Sequence, residues 1–199
     1  MKTDKTDSGS IFSKAKKYAL YMLKDAEHKG LYYHNFKHAL LVSNAARKLC
    51  KMEKIPEHET ELVVIAAIYH DLGYIIRYEN NEPFGAIIAH IALKAAGYSD
   101  EEIETVSNLI LSTSMPQRPR NRLEQILCDA DLSALGTAQY FSYSDRLRRE
   151  RGISMGEWNR STIRFLKVHK YFTHSARAVY EHTKEMNMQK MKDRANRKA

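Results

Sequence analysis

Leu62-Val63-Val64-Ile65-Ala66-Ala67-Ile68-Tyr69-His70-Asp71 is the stretch that decides the architecture. Apolar residues occupy every side of this segment, so a helix over 57–71 would have no solvent face and must be wrapped by others. Reading outward from it, three- and four-residue apolar spacing predicts helices near 10–28, 35–52, 82–96, 100–114, 120–129, 137–150, 155–172 and 175–192. Ile103, Val106, Ile110 and Leu111 illustrate the pattern. Gly30, Gly97, Gly136 and Gly152 fall at expected helix ends, while Pro56 and Pro83 fall near starts. Ser99 followed by Asp100, Glu101 and Glu102 reads as an N-terminal cap with acidic residues in the first turn. No strand alternation persists. The fold class is therefore all-α, a single-domain helical bundle over 10–188, with a disordered N-terminus at 1–9 and a basic, frayed tail at 189–199.

Charge is unevenly placed. The net charge is +8, and residues 160–199 alone carry 11 Lys/Arg against 3 Asp/Glu. The basic balance thus belongs to the C-terminal segment. Cys50 and Cys128 are far apart and lack CxxC spacing, which reads as free thiols in a reducing compartment, with a single disulfide as the other possibility. The polar start lacks a signal-peptide pattern, and no window is apolar enough to span a bilayer. A cytoplasmic location is expected.

Four residues have the spacing of ligands to one buried divalent cation: His38, His70, Asp71 and Asp131. A lone His-Asp dipeptide means little, since about 0.4 would arise by chance at this composition. Context gives it weight. His38 shares a helical face with Val42, Ala45 and Leu49, His70 and Asp71 end the apolar helix, and Asp131 ends another containing Leu123, Ile126 and Leu127. Carboxylates are expensive to bury alone, and a shared cation is a natural partner. Two imidazoles and two carboxylates suit Mn, Mg, Fe, Co, Ni or Zn.

These residues resemble the HD-domain metal-dependent phosphohydrolase superfamily, and more closely its small bacterial hydrolases. Tyr33-His34-Asn35 with His38 is similar to the first motif of its phosphodiesterase and nucleotidase branches, and Ala130-Asp131-Leu132-Ser133 resembles the segment supplying the last ligand. His70-Asp71-Leu72-Gly73-Tyr74, Asn81-Glu82, Ile110 with Thr113, and Trp158 with Phe165, Leu166 and His169 add to the likeness. Dinuclear members carry further histidines after the His-Asp pair. Here His90 is the only histidine between Asp71 and Val168, which favours one metal.

The resemblance implies a metal-dependent phosphohydrolase cleaving a nucleotide or other small phosphoester, monoester or diester, with a metal-bound hydroxide as nucleophile. His34, one helical turn before His38, matches the family's general acid; its alternative is a solvent-exposed partner at a helix start. Asp71 would bind the ion and orient the attacking water. Arg77, Arg118 and Arg120 are candidates for phosphate contacts, and Glu82 for a substrate contact or a helix-start acid. His90 reads as a core-edge residue, and Asp129 as a partner of a coordinating histidine or a turn cap. Gln139 could clamp a purine on spacing alone. Two other classes stay open: a silent HD signalling or binding module, and a nucleic-acid or acidic-partner binder using the basic C-terminus. The latter is disfavoured because its cations are scattered among apolar positions. The expected partner is a small phosphorylated substrate, with no membrane partner and a homodimer left open.

Overall fold

The computed structural model describes residues 11–196 apart from Asp25, so the N-terminal segment 1–9 and the last three residues lie outside the described residues. Among the described residues there is no strand. Helices α1 (Ile11–Met22), α2 (Phe36–Met52), α3 (Glu57–Tyr69), α4 (Glu82–Ala96) and α5 (Asp100–Ser112) are followed by α6 (Arg122–Asp131), α7 (Tyr140–Glu150) and α8 (Met155–Val168). The chain closes with α9 (His174–Ala176), a π-helical turn (Arg177–Glu181) and α10 (His182–Asn196). Short 3-10 helices follow α1 (Glu27–Lys29), α3 (Leu72–Ile75) and α6 (Leu132–Gly136).

Helix α3 is the axis. Every residue from Leu62 to Tyr69 is buried, and α1, α2, α5 and α6 pack around it. Each buried Val, Ile or Leu there contributes roughly 1.5–3 kcal/mol of transfer free energy. The one polar group of this stretch, the Tyr69 hydroxyl, donates to the Ala15 carbonyl at 2.8 Å and fixes α1 against α3. Local signals agree with this packing. Ser99 and Glu102 form a reciprocal capping box at the start of α5, and Gly97 ends α4 at φ 98°, a left-handed conformation that favours glycine. Cys50 and Cys128 are both free and buried. No helix among the described residues is long and apolar enough to cross a membrane.

Several boundaries differ from the sequence reading. The first helix stops at Met22 rather than running to 28, and α7 starts at Tyr140 because the 3-10 turn through Gly136 intervenes. Helix α8 ends at Val168, not 172, for a physical reason. Asp129 accepts the backbone N–H groups of Phe172 and Thr173, both at 2.8 Å, and the Thr173 hydroxyl at 2.7 Å, which pulls the chain out of helix. Asp129 therefore anchors a turn; its bonds go to Phe172 and Thr173. The last helix extends to Asn196, with Met191 buried against the fold. His90, Ile87 and Ile91 share an exposed face of α4, which places His90 outside the core.

Candidate metal centre

Three helices each deliver part of the site. Asn35 starts α2 by accepting the Lys37 N–H at 2.9 Å, while its amide donates to the Leu31 and Tyr32 carbonyls. That start places His38 on the buried stripe of α2. His70 ends α3, with ring Nδ1 2.9 Å from the Ala67 carbonyl. A carbonyl only accepts, so Nδ1 carries a proton, which leaves Nε2 as the ring nitrogen available to a metal. Asp71 sits in the turn that follows. Asp131 ends α6, and its Oδ2 accepts from Gln117 Nε2 at 3.1 Å, leaving Oδ1 to face the histidines.

The four side chains converge. His38 Nε2 lies 3.3 Å from Asp71 Oδ2 and 3.4 Å from Asp131 Oδ1, and His70 Nε2 lies 3.2 and 3.4 Å from the same two oxygens. Yet His38 Nε2, His70 Nε2 and Asp71 Oδ2 are buried and aligned in no hydrogen bond. Buried polar atoms are rarely left this way. Neighbouring ligands on an octahedral cation with bonds near ~2.2 Å are about 3.1 Å apart, so these separations fit a shared divalent ion. His38, His70 and Asp71 form the tightest part, all donor atoms within 4.8 Å of one another, and Asp131 closes the set from α6.

Electrostatics point the same way. Burial disfavours ionised Asp71, but His70, His34 and His38 outweigh it and hold the carboxyl well below its ordinary range. Asp131 is lowered too, burial again being outweighed by the neighbouring imidazoles of His38 and His70. Burial would likewise lower both histidines, yet the two carboxylates raise His38 and raise His70 strongly. Paired negative charge is thus concentrated where positive charge is wanted.

His34 is buried rather than solvent-exposed. Its Nδ1 pairs with Glu150 Oε1, and Glu150 Oε2 accepts the backbone N–H groups of Tyr33 (2.7 Å) and His34 (3.1 Å). Burial opposes ionisation of Glu150, but His34 and these backbone donors bring it below its usual value. On its face the His34 ring stacks on Tyr74, with centroids 3.9 Å apart and planes at 16°. His34, His70, Asp71 and Asp131 open onto one cavity of about 390 Å³, walled by aromatic rings including Tyr143 and Phe165. Trp158 lines it as well, its indole N–H donating to Ser144 at 2.8 Å.

Glu82 lines this cavity; Arg77 and Arg118 do not. Arg77 is exposed beyond the 3-10 turn, and Arg118 and Arg120 border a separate hollow beside Pro116, where Arg120 pairs with Glu124. The one Lys or Arg among the described lining residues is Arg151. Gln139 is exposed at the start of α7 and does not line the cavity. Glu150, Gln117 and Arg151 were not singled out in the sequence as site residues, where no spacing rule links them to the His-Asp pair, and Asn81 entered only as part of the family likeness. Several C-terminal cations are engaged in the fold: Lys184 is buried, Arg177 donates to the Tyr171 and Phe172 carbonyls, and Arg194 lies over the Phe141 ring at 3.7 Å.

The family model for the HD domain matches residues 35–134, a span that contains all four converging residues. The chain belongs to the HD-domain family. HD domains typically bind divalent metals, and the His38–His70–Asp71 group could hold one here. Two solved structures share the HD fold. A predicted HD superfamily hydrolase from an uncultured Thermotogales bacterium aligns with TM-score 0.65 and 17% identity over 96% of this chain and 94% of that one. Bacillus subtilis YpgQ, solved in complex with ADP, aligns with TM-score 0.68 and 16% identity over 92% of each chain. No curated protein sequence matches the chain.

Proposed function

We propose that this HD-domain protein is a divalent-metal-dependent phosphohydrolase that cleaves a nucleotide or another small phosphoester. The observation that carries the reading is the convergence of two imidazole nitrogens and two carboxylates, whose buried His38 Nε2, His70 Nε2 and Asp71 Oδ2 make no hydrogen bond within the protein. His38, His70, Asp71 and Asp131 would hold the cation. When bound, such an ion acidifies a coordinated water and offsets charge on a phosphoryl oxygen.

The remaining work falls to side chains of this protein. Asp71 orients the attacking water toward the phosphorus. Glu150 fixes His34 through Nδ1, which leaves the Nε2 edge to give a proton to the leaving oxygen. Gln117 holds Asp131 in register. Arg151, which lines the cavity, would meet an anionic oxygen of the substrate. The nucleotide version is supported by the aromatic walls, by a volume of about 390 Å³, and by the ADP bound to the YpgQ relative.

The test is a phosphoester and nucleotide panel with Mn, Mg, Co, Ni or Zn, run on the wild type, Asp71→Ala and His34→Ala. Asp71→Ala should lose both metal and turnover. His34→Ala should keep metal and turn over about 100-fold or more slowly. Metal-loaded protein that hydrolyses nothing in the panel contradicts the hydrolase reading and favours a binding module.

A further inference from the structure

The cavity holds an unused recognition element. Asn81 stands at the N-cap of α4, where asparagine normally caps, but its backbone is helical and its side chain caps nothing. The residue is 4% exposed, its Oδ1 has no hydrogen-bond partner, and it lines the same cavity as His70, Asp71 and Asp131. The backbone locks it there. A Cβ on Gly73 would lie 1.9 Å from the Asn81 carbonyl oxygen, and one on Gly85 would lie 2.9 Å from the His70 carbonyl, so the start of α4 is pressed against the His-Asp turn. Beside it, Glu82 adds a carboxylate to the wall.

A buried amide oxygen without a donor is costly in the free protein, and it is retained where a ligand supplies the donor. Phosphate oxygens near neutral pH are acceptors and cannot satisfy it. Nor can the carboxylate of Glu82, which would also repel phosphate. Water can supply that donor in the free protein; in the complex it can come from the part of the substrate that is not phosphate. We propose that Asn81 is a specificity residue that accepts a hydrogen bond from a sugar hydroxyl of the substrate, so that the site selects hydroxyl-bearing phosphoesters over bare ones. This rests on the phosphohydrolase reading. It places the phosphate near the cation site and Arg151, and the sugar against Asn81 and Glu82.

The experiment compares AMP, 2′,3′-dideoxy-AMP and p-nitrophenyl phosphate, with Mn²⁺, on the wild type, Asn81→Ala and Asn81→Asp, alongside melting curves. The wild type should prefer AMP over the dideoxy analogue. Asn81→Ala should lower kcat/KM for AMP by about 10–100-fold, the effect of one lost buried acceptor. It should leave the other two substrates within about two-fold and the melting temperature no lower, since the side-chain oxygen bonds nothing in the protein. Asn81→Asp keeps an acceptor and should retain the preference. Equal losses on all three substrates would mean that Asn81 acts on the phosphate or the water, and no preference for AMP in the wild type would mean that the hydroxyl is not read; either overturns the proposal. A wild type that hydrolyses p-nitrophenyl phosphate without that preference leaves the phosphohydrolase reading intact. One that hydrolyses none of the three overturns the proposal, while the phosphohydrolase reading is decided by the wider panel of esters and metals.

Discussion

Replacing Gly73 by alanine probes the joint between fold and site. Its new Cβ would sit 1.9 Å from the Asn81 carbonyl oxygen, 2.7 Å from the Asn81 carbonyl carbon and 2.9 Å from the Gly85 nitrogen. All three are backbone atoms, so no rotamer change relieves the clash. Ordinary contact needs about 3.4 Å, so the His-Asp turn and the start of α4 must separate by roughly 1–1.5 Å. Overpacking of this kind costs about 3 kcal/mol or more. For a chain of this size that is a fall of roughly 6–12 °C in Tm. Because Asp71 lies two residues away, a shift near 1 Å should also lower turnover by about 100-fold. Gly156→Ala is the control: its nearest neighbour would be the flexible Arg160 side chain at 3.5 Å, and in α8 the change should be neutral or add about 0.5–1 kcal/mol. Differential scanning calorimetry and an Mn²⁺ titration on both variants read the outcome. A Gly73→Ala protein that melts and binds Mn²⁺ like the wild type refutes the close packing of α4 on the His-Asp turn.

Other expectations follow from single contacts. Gln117→Ala frees the Asp131 carboxylate and should weaken metal binding about 10–100-fold, measured by calorimetry, with little change in Tm. Glu150→Gln should leave metal content intact while lowering kcat and altering its pH profile, because His34 loses its charged partner. Glu53 is drawn down to about 2, first by its hydrogen bonds from Ser175 and then by Arg122, with burial opposing. A depressed carboxyl stabilises above its unfolded value near 4.5 and loses that contribution as pH falls toward 2. Acid denaturation followed by circular dichroism should therefore be shallower over that window in Glu53→Gln. Tyr69→Phe removes the bond to the Ala15 carbonyl and should cost about 1–2 kcal/mol in urea unfolding.

The sequence made some of this legible and hid the rest. The all-α class followed from α3, whose apolar run leaves no face for water. His38, His70, Asp71 and Asp131 could be found because each lies on or ends an apolar helical stripe, where burial of a charged group demands an explanation. Periodicity carries no such signal for Glu150. It meets His34 across 116 residues of chain, a contact made by the packing of α7 rather than by local pattern. Gln117 lies between Pro116 and Pro119, and proline spacing says where a chain turns, not what a loop side chain reaches. Arg77 was attractive for its closeness to Asp71 and Arg118 for its place in a proline-flanked loop, but the 3-10 turn after Asp71 directs Arg77 outward, and the Pro116 loop directs Arg118 to another hollow. Helix α8 overran in the reading because the pull of Asp129 on Phe172 and Thr173 is tertiary.

The central claim concerns a shared cation, and metal stoichiometry tests it most directly. Wild-type protein titrated with Mn²⁺ and then dialysed should retain about one ion per chain by elemental analysis, consistent with four protein donors on one octahedral ion. Asp131→Ala, which alters only the contribution from α6, should lose it despite an unchanged helical circular dichroism spectrum. Undiminished retention of the ion by Asp131→Ala, or none by the wild type at any pH between 6 and 8, would contradict the account.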